Sequence, residues 1–307
     1  MGLRARLAAL ADKNDVVYSF VTTPAAWFSA AVLVVLVAAA LLAPWLSSVN
    51  PFDLGSLDVT DAHLPPAWTE EGDARFWLGT DDQGRDLLSA ILYGLRLSLS
   101  ISLVSVVLSI VIGVGLGVTA GFAGGWIDTV LMRVCDVMLS FPAILVALLA
   151  DGILRSAFPG AAHESVAYFV LIFAITLSGW VPYARTVRGL TLVEKGKEFV
   201  MAAELIGEKK LTVMRRHILP NVLGPVFVLA AVNVATAVMT EATLSFLGVG
   251  VPPTTPSLGT LIRIGNDYLF SGEWWICIFP GIVLIVVVLA VNLLGDWLRD
   301  AVNPGLQ

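Results

Sequence analysis

Charge is scarce in this chain of 307 residues: Asp, Glu, Lys and Arg make up only 14%, against 57% hydrophobic residues. A soluble domain carries roughly a quarter charged residues, so this balance excludes one and predicts a membrane protein. Cysteine is rarer still. Cys135 and Cys277 sit in or beside apolar runs, which excludes a disulfide framework or a metal site and leaves two small buried hydrophobes. The histidines, His63, His163 and His217, stand far apart, and neither HExxH nor GxSxG occurs. Zinc hydrolysis and an α/β-hydrolase nucleophile therefore lack support. There is no GxxxxGKS or GxxxxGKT either, so ATP has no P-loop to bind. Gly115 and Gly117 lie in an apolar helix with no strand before them, which rules out a nucleotide loop there as well. The net charge of −6 argues against nucleic acid, although in a membrane protein the distribution of charge matters more than its sum.

What the sequence has in quantity is apolar runs. A helix rises about 1.5 Å per residue, so roughly twenty residues cross a hydrocarbon core of about 30 Å. Six runs of that kind are expected: Ala25–Leu46, Leu97–Ile127, Thr129–Ala150, Ser165–Ala184, Asn221–Leu247 and Trp274–Leu294. The fold class is all-α, polytopic, with six transmembrane helices and both termini in the cytoplasm. In domain terms, residues 1–24 form a cytoplasmic segment, 25–47 the first span, 48–96 an outer loop with an interfacial helix, and 97–307 the transmembrane core. The first span is long and distant from its basic start at Arg4, Arg6 and Lys13, which favours an uncleaved helix over a signal peptide.

The loops orient the spans. Between Asp53 and Asp86 nine acidic residues face Arg75 and Arg85 alone, and that scarcity of Lys and Arg places the segment outside. Asp81, Asp82 and Asp86 resemble a cation cluster, but a turn at Gly84 followed by an amphipathic interfacial helix, Asp86–Arg96, explains them, with Asp86 favoured by the helix dipole. A second short outer loop is expected over Asp151–Glu164. Residues 185–220 carry eight basic against four acidic residues and belong inside. Within that loop, Lys197–Ile206 reads as a short amphipathic helix through Phe199, Val200, Ala203 and Ile206, and Gly207 supplies its stop. Ala202 and Ala203 leave little bulk, which allows the backbone of a partner to approach.

Inside the spans, Gly113, Gly117 and Gly121 form a stripe on which another helix packs closely. Arg133 and Asp136, three residues apart, share a helix face and predict an anchoring ion pair or a place on a transport path. Glu241, toward the outer end of its span, either lines such a path, snorkels to the interface or pairs with a neighbouring subunit. Pro142 is expected to bend its helix. The stretch Gly248–Gly259, rich in proline, breaks helix repeatedly and reads as an outer rim.

Several of these segments resemble one family. Ala202-Ala203, Gly207 and Leu219-Pro220 are spaced as in the cytoplasmic coupling loop of ABC-importer permeases, with Met201 where the family usually carries Glu and His217 where it often carries an aliphatic residue. WLGTDDQGRDLLS from Trp77, continued by YGLRLS, is similar to the segment before the second span in the C-type permeases of dipeptide, oligopeptide and nickel importers. SFLGVGVPPTTPSLG from Ser245 and LGDWLRDAVNP from Leu294 point the same way. The resemblance implies a type I permease of the bacterial inner membrane, working as half of a translocation path beside a second, homologous permease. It implies two ATP-binding subunits, which would hold ATP and magnesium, and an extracytoplasmic solute-binding protein that selects a peptide, glutathione or a nickel complex. Glu198, Ala202, Ala203, Gly207, Leu219 and Pro220 would couple to the ATPases; Glu241, Asp136 and Arg133 are candidates for the path. The chain itself would bind no cofactor and catalyse nothing. A proton-driven secondary transporter, with Asp136 and Glu241 as carriers, is the rival from another class, but it predicts inverted repeats that the sequence lacks.

Overall fold

The computed structural model describes residues 15–47, 50–53, 55, 57–157 and 163–302. Arg4, Arg6, Lys13 and Pro304, used above, lie outside them. The described residues contain no strand, only an isolated antiparallel bridge between Thr80 and Asp86. The described residues form twelve α-helices, in chain order. They are α1 (Asp15–Thr22), α2 (Pro24–Leu41), α3 (Ala43–Leu46), α4 (Leu87–Ala123), α5 (Gly125–Ser140), α6 (Ala143–Ala157), α7 (His163–Lys195), α8 (Glu198–Leu205), α9 (Lys210–Val213), α10 (Leu219–Phe246), α11 (Leu258–Tyr268) and α12 (Trp274–Val302).

Among the described residues, five continuous helical stretches are long and apolar enough to cross a membrane: Pro24–Leu41, Leu87–Ala123, Ala167–Lys195, Lys210–Phe246 and Trp274–Ala301. The third expected span is not a single rod. Gly125–Ser140 and Ile144–Ile153 meet at 93° and make a sixth crossing only if the pair is counted as one. Pro142 is the cause: it forces Phe141 to extended backbone (φ −102°, ψ 132°), and α5 stops there. Nor is Asp151–Glu164 a loop throughout, since α6 runs on to Ala157 and α7 begins at His163.

The bundle is built on the seam between α4 and α7. Gly113, Gly117 and Gly121 lie on it as expected. A Cβ on Gly113 would stand 2.5 Å from Tyr183 Cβ, and one on Gly117 2.6 Å from the Ala184 carbonyl. The stripe is longer than the glycines alone, because the fully or nearly fully buried Ser98, Ser102, Ser105 and Ser109 continue it at the same three- and four-residue steps. Small residues serve here because lipid tails supply no hydrophobic drive between helices; close backbone packing must supply the attraction.

Hydrophobic clusters fill the bundle along its length. At one end Leu87, Ile91 and Leu95 of α4 pack with Val238 of α10, Leu261 of α11 and Ile276 of α12. At the other, Val114 and Val118 of α4 pack with Val187 of α7 and Val222 of α10. The expected interfacial helix over Asp86–Arg96 is not separate. It forms the first turns of α4, whose N-cap is Asp86, accepting from Ser89 N at 3.0 Å.

The acidic segment before α4 folds into a cap over the first of these ends. Its turn at Gly84 is present, and its central element is a fully buried ion pair: Arg85 Nε donates to Asp81 Oδ2 at 2.6 Å, while Arg85 Nη1 reaches the Pro253 carbonyl at 2.6 Å. Asp81 Oδ1 also accepts from the backbone N–H groups of Gln83 and Arg85. This carboxylate is a structural tie, and Asp86 is a helix cap; neither is left over for a cation. Asp82, half-buried beside them, is raised from the ordinary carboxylate range, first by burial and then by the neighbouring Asp81.

Candidate functional site

At the end of the bundle opposite the cap stands α8, Glu198–Leu205. The helix is where the spacing predicted it, to within a residue at each end. Its surroundings differ. The expected loop 185–220 is mostly helix: α7 continues through Arg185 and Arg188 to Lys195, and from Lys210 the chain is helical again, so only Gly196, Lys197 and Ile206–Lys209 lie outside helices. Hydropathy falls at Arg185, but nothing breaks the backbone until Gly196.

The short helix is pinned by one face and presents the other. Val200 and Ala203 are buried, 0% and 4% exposed, against Phe122, Val187, Val213 and Ile218. Burying a valine side chain stabilises by about 1.5–3 kcal/mol, enough to hold so short an element that would not be helical alone. Ala203 therefore serves its own chain and is not offered to a partner; Ala202 is exposed. The outward face carries Leu205 and Ile206, 87% and 78% exposed, flanked by Phe199 and Met201. Glu198, in the first turn, is exposed beside them.

The helix ends as Gly207 requires. Its φ is +84°, and the N–H groups of Gly207 and Glu208 bond back to the carbonyls of Glu204 and Ala203, both at 3.1 Å. That paired closure satisfies two orphan carbonyls and turns the chain back toward the bundle. Two lysines hold the base: Lys195 Nζ donates to the Phe122 carbonyl at 2.7 Å, and Lys197 Nζ to Glu194 Oε1 at 2.6 Å. His217, a departure from the family pattern, also serves here, with Nε2 3.1 Å from Glu208 Oε2 and its ring against Phe199. Leu219 and the exposed Pro220 follow a π-helical turn, Met214–Ile218, in which Leu219 N bonds to the Met214 carbonyl. Pro220 has no N–H to give and its ring needs room, and the widened turn supplies that room.

The three path candidates do not come together. Arg133 stands 80% exposed, and its nearest carboxylate oxygen on Asp136 is 3.8 Å away. The closer partner of Asp136 is Arg185 of α7. A second tie across the same helices, Arg188 Nη2 to Asp128 Oδ2 at 2.6 Å, had no signal in the local pattern because its residues are sixty positions apart. Glu241 lies toward the capped end and is fully buried, so it neither snorkels nor faces an open path within this chain. Ser245 donates to its Oε1 at 2.8 Å, and the hydroxyls of Ser98 and Ser257 surround the same carboxyl. Ser98 Oγ and Ser257 Oγ accept from Leu258 N and Thr260 N respectively, so Ser98 ties α4 to the start of α11 beside this carboxyl.

Residues 113–307 match the family described as binding-protein-dependent transport system inner membrane component, and residues 14–66 match the N-terminal transmembrane domain of oligopeptide transport permease C. The chain belongs to this permease family. Among its relatives, the dipeptide transport system permease protein DppC of Escherichia coli K12 is 40% identical over 276 residues, 90% of this chain and 87% of that protein. A putative peptide transport system permease of Brucella suis is 41% identical over 279 residues, 90% and 86% of the two chains. A solved structure of the MetNI methionine ABC transporter, facing inward, aligns at a TM-score of 0.55 with 19% identity, covering 69% of this chain and 96% of its own, a likeness of fold alone.

For this inner-membrane permease the geometry separates two kinds of residue. Glu198, Ala202, Gly207, Leu219 and Pro220 gather at or beside one protruding element, with Ala203 beneath it. Glu241, Asp136 and Arg133 are distributed between a buried tie, an ion pair and an exposed surface. Among the described residues no cluster of His, Cys, Asp and Glu is arranged to hold a metal.

Proposed function

We propose that this permease forms half of the translocation path of an ATP-driven importer of short peptides, beside a second, homologous permease. The cap, residues 57–86, faces the extracytoplasmic side and receives a solute-binding protein; α8 faces the cytoplasm and docks in a cleft of an ATPase subunit. The ATPases hold ATP and magnesium, and their closure moves α8 as a rigid body, so that the path opens first to one side and then to the other. Glu198, Ala202, Gly207, Leu219 and Pro220 make or shape that contact, and Ala203 fixes its height. Peptide is the solute class because the relatives are named for dipeptide and peptide transport.

The observation that carries this reading is the outward face of α8. A helix held to the bundle by two buried residues, with Leu205 and Ile206 almost wholly in solvent, fits a docking element better than a free surface. Each aliphatic side chain buried in an interface contributes about 1.5–3 kcal/mol, a factor of roughly 10 to 150 in affinity. The test is co-purification. With a tagged chain, the wild type should bring down the ATP-binding subunits, and Leu205→Glu with Ile206→Glu should lose them while still inserting in the membrane. Full recovery of ATPase subunits and normal peptide uptake in the double variant would overturn the assignment.

The proton-driven alternative has no support from the buried tie of Glu241 or from Asp136, which is already paired with Arg185.

A further inference from the structure

Between α2 and the core lies a half-open groove of about 620 Å³. Its walls are Leu33 and Val37 of α2, Leu99 and Leu103 of α4, and Val291 of α12, with Trp297 and Leu298 toward one end. Among the described residues, Arg96 of α4 is the only charged one that lines it. Arg96 is exposed and makes no hydrogen bond or ion pair among the described residues. Its height along the bundle follows from its neighbours: one turn earlier, Tyr93 packs its ring edge-on against Phe52, with the centroids 5.2 Å apart. Leu41, the last residue of α2, lines the groove as well. The guanidinium therefore lies at the capped end of the membrane-spanning region, with an apolar channel running from it alongside the helices.

We propose that this groove is a binding site for an anionic phospholipid, whose phosphate meets Arg96 and whose acyl chain lies along α2. The chemistry recommends that occupant. A planar guanidinium with five N–H donors suits a phosphate, and an unpaired arginine beside hydrocarbon is costly until an anion meets it. The apolar walls exclude a hydrated ion as the sole ligand, and they match an acyl chain. A bound lipid would fix α2, most of whose surface is otherwise uncovered, to the rest of the permease.

The full chain, extracted together with whatever subunits accompany it, can be weighed by native mass spectrometry for retained lipid. It can then be titrated in nanodiscs of phosphatidylcholine with or without phosphatidylglycerol. Wild type should retain phosphatidylglycerol in preference to phosphatidylcholine. Arg96→Gln should weaken that hold about tenfold or more, as expected for a hydrogen bond to a charged group, and Arg96→Lys less. Val37→Trp should fill the groove and expel lipid with Arg96 intact, so the test survives even if Arg96→Gln fails to fold. Inorganic phosphate should not compete, since it brings no chain. Equal retention by Arg96→Gln, equal retention of the two lipids, displacement by inorganic phosphate, or a cross-link from Val37→Cys to a second permease seated in the groove would each overturn the proposal.

Discussion

Replacing Gly207 by alanine isolates one quantity, the backbone conformation that turns the chain at the end of α8. A Cβ at Gly207 meets no heavy atom within 4 Å, so alanine adds no clash. The φ of +84° remains, and a left-handed conformation costs a residue with a Cβ about 1–2 kcal/mol. That is a factor of roughly 5 to 30 in the local equilibrium between the closed and frayed helix end. Hydrogen exchange reads it directly. The amides of Gly207 and Glu208, which bond to Glu204 and Ala203, should exchange faster by about that factor in Gly207→Ala. Gly207→Asn should fall between wild type and alanine, because asparagine tolerates the left-handed region. Gly207→Arg shares the backbone cost of alanine and adds a long cation to the face proposed to dock. Peptide uptake should therefore fall further in Gly207→Arg than in Gly207→Ala, with the protein still inserted. If alanine left the exchange of Glu208 unchanged, or if arginine and alanine impaired uptake equally, the separation of turn from docking face would be refuted.

The seam, the cap and its acidic neighbour give three further tests. Gly117→Leu must separate α4 from α7, since even a Cβ there stands 2.6 Å from a carbonyl; we expect a loss of at least 1–3 kcal/mol, read as a lower melting temperature in detergent, while Gly115→Leu, with open space at its Cβ, leaves it unchanged. Asp81→Asn removes one charge of a fully buried pair and should cost about 3–5 kcal/mol, visible as early proteolysis within residues 57–86. Asp82→Asn should have the opposite sign. A carboxyl raised by burial destabilises the fold while ionised, so the penalty is present above the folded-state pKa and is removed as pH falls toward the ordinary value of 3.8. The variant should melt higher than wild type at pH 7, with the difference closing in acid; a constant difference across pH would count against the argument.

The apolar spans, the acidic cap and the small-residue stripe were legible because each is written in a contiguous or regularly spaced pattern. The stop at Gly207 was legible for the same reason: one residue type serves one backbone conformation. Continuity was harder to read. Arg185 and Arg96 end their apolar runs, yet they do not end their helices, because a helix that leaves the hydrocarbon stays intact until a breaker such as Gly196 arrives. The direction of Ala203 was also beyond reach, since eight residues with apolar side chains on two faces do not reveal which face is buried. For Glu241 the deciding neighbours, Ser98 and Ser257, come from other helices and loops. Spacing along one span says nothing of them, and so its burial had to be found in three dimensions.

The helix Leu87–Ala123 begins within the cap, where Asp86 closes its first turn, and finishes where Lys195 grips the carbonyl of Phe122 at the root of α8. At about 1.5 Å per residue its 37 residues reach some 55 Å. No proline interrupts that strut between its two ends. The cap and the root of α8 are thus joined by one unbroken length of hydrogen-bonded backbone, with the Lys195 contact closing the last step between the two extremities.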